Sequence, residues 1–125
     1  MWWEKYIGQP YVELENDCMA LAVKVAHEFL GLHVISPTYK PDIRDQARAI
    51  REHKDDVCSR IETPKDGYPV LFLCRRRFFH IGVYLRTNHE DWILHADERS
   101  GFVILTRLKD MSLKGYQLEG FYQWI

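Results

Sequence analysis

The sequence predicts an α+β fold with an antiparallel sheet, and three observations carry that prediction. Two stretches of helical periodicity, one from Cys18 and one from Asp42, occupy the first half of the chain. A run of short apolar segments at hairpin spacing follows the turn residues Pro64-Lys65-Asp66-Gly67. No repeat, low-complexity stretch or linker divides the 125 residues, so positions 1–125 form a single domain, long enough to bury a core without disulfides or a structural metal.

The first helix begins after Asn16 and Asp17, both good N-cap residues. From Cys18 onward, Leu21, Val25 and Phe29 form one apolar stripe, and Ala22, Ala26 and Leu30 form the next. Lys24 and Glu28 fall outside, and Gly31 is the expected stop. Ser36-Pro37 and Lys40-Pro41 mark a loop. The second helix is expected from about Asp42 to Cys58, with Ile43, Ala47, Ile50 and Val57 inward. Strands are expected at Val70 to Cys74, Phe78 to Leu85, Trp92 to Ala96, Phe102 to Arg107 and Leu118 to Trp124.

Composition narrows the function. Hydrophobic residues make up 46% of the chain, and the formal net charge of −1 gives no support to a mainly electrostatic nucleic-acid binder. No run reaches transmembrane length, so membrane insertion is not expected. The start, Met1-Trp2-Trp3-Glu4-Lys5-Tyr6, lacks the apolar core of a signal peptide, which predicts cytoplasmic synthesis. An odd count of three cysteines without that signal predicts free thiols.

Cys18 stands at a helix start, where free N–H groups and the macrodipole favour a thiolate. The same N–H groups suit the oxyanion of an acyl-transfer intermediate. Asp17 beside it would oppose the thiolate unless its carboxylate turns to the helix amides. On the strand that contains His80, residues His80, Gly82 and Tyr84 share a face, and Gly82 leaves room for another element, expected to be the first helix. A hairpin with Thr87-Asn88 at its tip places His95 directly opposite His80, with Cβ atoms about 5 Å apart. A slip of one residue would send His95 to the other face. In this arrangement Cys18 is the nucleophile, His80 the base and His95 the group that orients His80.

Gly8-Gln9-Pro10-Tyr11, Asp17-Cys18, His80-Ile81-Gly82-Val83-Tyr84-Leu85 and Leu94-His95-Ala96, in that order, resemble the NlpC family of papain-like cysteine peptidases. The match runs from Gly8 to about Arg107. The resemblance implies a papain-like fold, with N-terminal helices packed on a five- to six-stranded antiparallel sheet. It implies a hydrolase of peptidoglycan stem peptides with Cys18, His80 and His95 as the catalytic residues. It places Tyr11 and Asp17 at the substrate, Asp17 toward a substrate amine. The serine and glycine that usually follow the cysteine are replaced by Met19-Ala20, so Met19 is expected to border the substrate. The usual glycine pair after Pro-Tyr is replaced by Val12-Glu13-Leu14, and the usual Pro-Gly-Asp before the sheet by Asp66-Gly67-Tyr68-Pro69.

A stand-alone domain of this kind is most similar to the peptidases of phage tail assembly. Tail proteins are then candidate partners, and the virion tail or delivery to the cell wall a candidate destination. Two other readings stand beside it: a catalytically silent assembly module on the same fold, and an amidase or acyltransferase using the same Cys-His pair. No cofactor is expected. A zinc site from Cys18, His80 and His95 lacks the close-spaced ligand pair such sites use, so no metal is expected. Cys58 and Cys74 are expected to be inert packing residues, and His27, His33, His53 and His89 to lie on the surface or in loops. Arg75-Arg76-Arg77 is expected at a solvated hairpin turn, or as an electropositive rim for an acidic glycopeptide. Trp2, Trp3, Phe121, Tyr122 and Trp124 are expected to pack together or to offer a contact surface.

Overall fold

The computed structural model describes residues 1–76 and 78–125. Arg77, the last of the three consecutive arginines, lies outside the described residues. The fold is α+β: two α-helices, α1 (Cys18–Glu28) and α2 (Ile43–Val57), pack on one face of a six-stranded antiparallel sheet. The strands are β1 (Cys58–Ile61), β2 (Pro69–Cys74), β3 (Phe78–Thr87), β4 (Glu90–Asp97), β5 (Phe102–Arg107) and β6 (Tyr116–Trp124), in the spatial order β1-β6-β2-β3-β4-β5. No helix is long and apolar enough to cross a membrane.

Asp17 starts α1 as expected of an N-cap: its carboxylate accepts from the Ala20 amide at 2.9 Å and from the Leu14 amide at 2.8 Å. Leu21, Ala22, Val25 and Ala26 are buried beneath it against the sheet. Phe29 ends the helix half-exposed and stacks on Trp2 with centroids 4.1 Å apart, which ties the N-terminal segment to the helix end. α2 is capped by Asp42, and Gln46, Ala47, Ala49 and Ile50 form its buried face. Ile43, expected inward, is 43% exposed, because the buried face is centred one position further along the helix. Cys58, expected to close α2, instead begins β1, an unexpected strand whose short length left only a faint alternation to detect.

The sheet divides two cores. Leu71, Ile81, Val83, Leu85 and Leu94 face the helices, while Val70, Phe72, Tyr84 and Ile93 face the opposite side. That second side is closed by Met111, carried on a 3₁₀ segment (Leu108–Lys114) that the periodicity did not reveal. Each such fully buried aliphatic side chain contributes about 1.5–3 kcal/mol relative to an exposed one, so the two layers together hold the sheet without cross-links.

The β3–β4 hairpin turns at Asn88-His89, not at Thr87-Asn88. Both turn residues have positive φ, 52° and 61°, as a two-residue type I′ turn requires. Thr87, β-branched and poorly suited to that conformation, stays in the strand opposite Glu90. The register is therefore two residues from the expected one, with Val83 paired to Leu94. An even shift preserves the face, so His95 remains on the side of His80 but is displaced diagonally from it. The space left by Gly82 is used by β4 and not by α1. A Cβ there would overlap the Ile93 γ-methyl and stand 3.5 Å from His95 Cβ.

Candidate active site

A cavity of about 430 Å³ opens between the start of α1, α2 and the beginning of β3. Cys18, Tyr11, Gln46, His80 and Tyr116 line it, with Arg44, Arg75, Arg99 and Glu98 around them. Three arginines against one glutamate make its surroundings favour a negatively charged guest. Arg75 has a φ of 55°, so its backbone sits in the left-handed region that non-glycine residues rarely adopt.

Cys18 is the first residue of α1 and only 3% exposed. Its thiol donates to Gln46 Oε1 across 2.8 Å. Burial pushes the Cys18 thiol up to about 12, against the pull of the Ile81, Met19 and Cys18 backbone N–H groups. The helix start was expected to favour a thiolate. At this buried position desolvation outweighs it, and the neighbouring Asp17 adds to the same direction.

His80 is carried into the cavity by β3, and its Nε2 lies 3.0 Å from His95 Nδ1. His95 Nε2 in turn lies 3.1 Å from Thr106 Oγ1 on β5. With Nε2 engaged, Nδ1 is the His80 ring nitrogen left to act on a group in the cavity. The His80 ring stacks on Tyr116 at 4.4 Å, and the Tyr116 hydroxyl donates to Asp97 Oδ1 at 2.7 Å, which holds the platform in place. Burial, and secondarily His95, keeps His80 well below the ordinary imidazole range. Burial lowers His95 to about 4, with Lys114 adding to it and Asp97 opposing. At neutral pH the thiol and both imidazoles are therefore uncharged.

Of the residues singled out from sequence, Cys18, His80 and Tyr11 meet at this cavity, and His95 stands behind His80. Cys18 and His80 line it without bonding each other, since the thiol proton is directed to Gln46. Met19 does not border the cavity. It is 3% exposed, packed in the helix-side core and next to a separate small void, because one step along α1 turns the side chain by about 100°. Asp17 is also withdrawn: at 1% exposure its oxygens are taken by the Leu14 and Ala20 amides and by the Tyr39 hydroxyl at 2.8 Å.

Cys74, expected to be inert packing, lies on the cavity wall. Cys58 fits the packing expectation, buried with its thiol donating to the Lys54 carbonyl at 2.9 Å. Of the other histidines, His27, His33 and His89 are exposed and His53 is half-buried.

Gln46, Thr106, Tyr116 and Tyr39 were not found from sequence. For Gln46 a signal existed: it precedes Ile50 by one helical turn, so a polar side chain stands on the inward face. For Thr106 the signal was strand parity, since it pairs with Ile93 on the histidine side of the sheet. Among the described residues, no group of three or more His, Cys, Asp or Glu side chains is arranged to hold a metal ion. Compared with protein-family models, curated proteins and solved structures, the chain matches none.

Proposed function

We propose that this chain is a cysteine hydrolase of the NlpC kind, with a papain-like arrangement of helix and sheet, acting on amide bonds of peptidoglycan stem peptides. The observation that carries the reading is a buried thiol at a helix start and a histidine backed by a second histidine, both on one cavity. The arginines around that cavity fit a substrate bearing carboxylates. Phage tail proteins are the proposed partners, and the virion tail or the wall the proposed place of action.

The steps follow from the roles. A substrate entering the cavity draws the thiol from Gln46 toward His80, whose Nδ1 takes the proton. The sulfur attacks the carbonyl carbon, and the developing oxyanion is stabilised by N–H groups at the start of α1 and by the Tyr11 hydroxyl. His80 then returns the proton to the departing amine as the C–N bond breaks. Water, deprotonated by His80, hydrolyses the thioester and regenerates the thiol. His95 holds the His80 ring throughout.

A silent assembly module is the second reading, and one observation favours it: the Cys18 thiol bonds to Gln46 and is strongly disfavoured from ionising. Digestion of peptidoglycan by the wild type and by Cys18→Ala, read by product masses, separates the two. New stem-peptide fragments from the wild type alone support the hydrolase; none from either supports the scaffold. Products joined to an added amine would mark an acyltransferase.

A further inference from the structure

We propose that Tyr116 and Asp97 are positioning residues for the His80–His95 pair: the Tyr116 ring is the face on which His80 rests when it takes a proton, and Asp97 is the counter-charge that two histidines lack. The inference rests on the proposed function for the source of that proton, the Cys18 thiol. One side chain sets the geometry. In the strand order β6-β2-β3-β4, Tyr116 reaches from the start of β6 over β2 and β3, and its hydroxyl donates to Asp97 Oδ1 on β4 at 2.7 Å. On the way its ring lies 4.4 Å from the His80 ring at an interplanar angle of 17°, and it meets the His95 ring edge-on at 5.6 Å and 84°. His95 and Asp97 are two residues apart on β4, so both side chains stand on the same face of the sheet.

Burial makes both contacts matter. His80 is 7% exposed, His95 0%, Asp97 5% and Tyr116 6%, so a proton on the pair finds no bulk water to spread its charge. A cation within about 6 Å of an aromatic face is attracted by the electron density of the ring, and the stack with Tyr116 places His80 there. Among the charged groups around the pair, Arg44, Arg75, Arg99 and Lys114 are cations and oppose a proton on it. Glu98 is exposed, where water and salt screen it, and Asp17 is taken by two amides and the Tyr39 hydroxyl. Cys18, which gives the proton, Cys74 and Tyr11 complete the titratable groups of the cavity. Asp97 is therefore the buried carboxylate placed to offset the charge, and its field acts on His95 in that direction.

The test is proton uptake by the two rings, read by nitrogen-15 NMR of histidine-labelled protein at pH 4, with sucrose added to favour the folded state. His95 lies at about 4, so roughly half of the pairs carry a proton there in the wild type. Asp97→Asn keeps an oxygen for the Tyr116 hydroxyl and removes only the charge. It is expected to lower the proton affinity about tenfold, leaving about a tenth of the pairs protonated. Tyr116→Phe and Tyr116→Leu both leave Asp97 without its donor and differ in the face they offer. The first is expected to hold a proton on His80 about fivefold better than the second. Unchanged uptake in Asp97→Asn overturns the counter-charge, and equal uptake in the two Tyr116 variants overturns the ring. Should a variant not fold at pH 4, alkylation of Cys18 by iodoacetamide at pH 7 decides the matter. A thiolate whose proton has passed to His80 forms less readily in Asp97→Asn, so the rate is expected to fall about tenfold. A direct effect of the Asp97 charge on the thiol would act the other way, and a rate unchanged or raised overturns the proposal. Peptidoglycan digestion by the wild type reads the hydrolase itself, so the two can fail apart.

Discussion

His80 Nε2 and His95 Nδ1 lie 3.0 Å apart with their rings near a right angle, 82°, so each ring fixes the other's tautomer. If His80 donates, its Nδ1 is a free base and His95 must carry its proton on Nε2, toward Thr106. If His95 donates, His80 Nδ1 is protonated and cannot accept. The Thr106 hydroxyl serves either pattern, which makes it the far end of a tautomer relay.

Thr106→Val tests that end of the relay. The substitution nearly conserves shape but leaves His95 Nε2 buried without its partner, a loss of about 1–3 kcal/mol. Thr106→Ser keeps a hydroxyl in place and is expected to recover most of it. Urea unfolding of the three proteins reads the difference, and equal stability of Val and wild type would show that the contact contributes nothing.

The same two histidines predict acid sensitivity. Both are lowered from an ordinary value of 6.5, His95 to about 4, so folding favours their neutral forms. Their contribution is complete above pH 6.5 and is lost as pH falls through the folded values. For His95 the loss between pH 6.5 and 4 is roughly 3 kcal/mol. Asp97 raises and Lys114 lowers the His95 value, so both shape the midpoint. Thermal unfolding from pH 7 to 4 is expected to show a falling Tm, with a shallower fall in His95→Gln. A Tm independent of pH over that range would contradict the burial of neutral rings.

Gly82→Ala should disturb the site through β4. The added methyl meets the Ile93 γ-methyl and crowds His95 Cβ, an overpacking that costs about 1–3 kcal/mol. Ile93→Ala alone loses packing, but combined with Gly82→Ala it removes the clash. The double mutant is expected to be less destabilised than the sum of the singles, and strict additivity in unfolding free energies would deny the contact.

Much of this geometry was legible in the sequence because parity and capping are local. Asp17 before Cys18 set the helix start, and the period-2 pattern put His80 and His95 on one face even though the hairpin turn was placed one residue early. Their contact survived because the error moved the register by two. What was not legible depends on how elements lie against each other. Gln46 meets Cys18 only through the packing of α2 beside α1, and no local pattern encodes that. Met19 was assigned to the substrate from its neighbour's role, yet helical rotation alone sends it into the core. The direction of the Cys18 pKa was missed for a similar reason: the helix start is visible in sequence, whereas the depth of burial that outweighs it is tertiary.

The order of thiol reactivity follows from that burial. In the absence of a guest Cys18 is raised to about 12 and Cys58 to about 11, both by desolvation first. Cys74 is half-buried, on the wall of the open cavity. Alkylation depends on the thiolate fraction and on access, so Cys74 is expected to be modified first at pH 8, then Cys58, and Cys18 last. One unit between Cys58 and Cys18 corresponds to about a tenfold rate difference at equal access. On the proposed function, a carboxylate-bearing peptide that fills the cavity is expected to displace the thiol from Gln46. It should then raise the Cys18 rate with a small alkylating reagent while shielding Cys74. Cys18 modified ahead of both other cysteines in the free protein would show that the helix N-terminus outweighs burial after all.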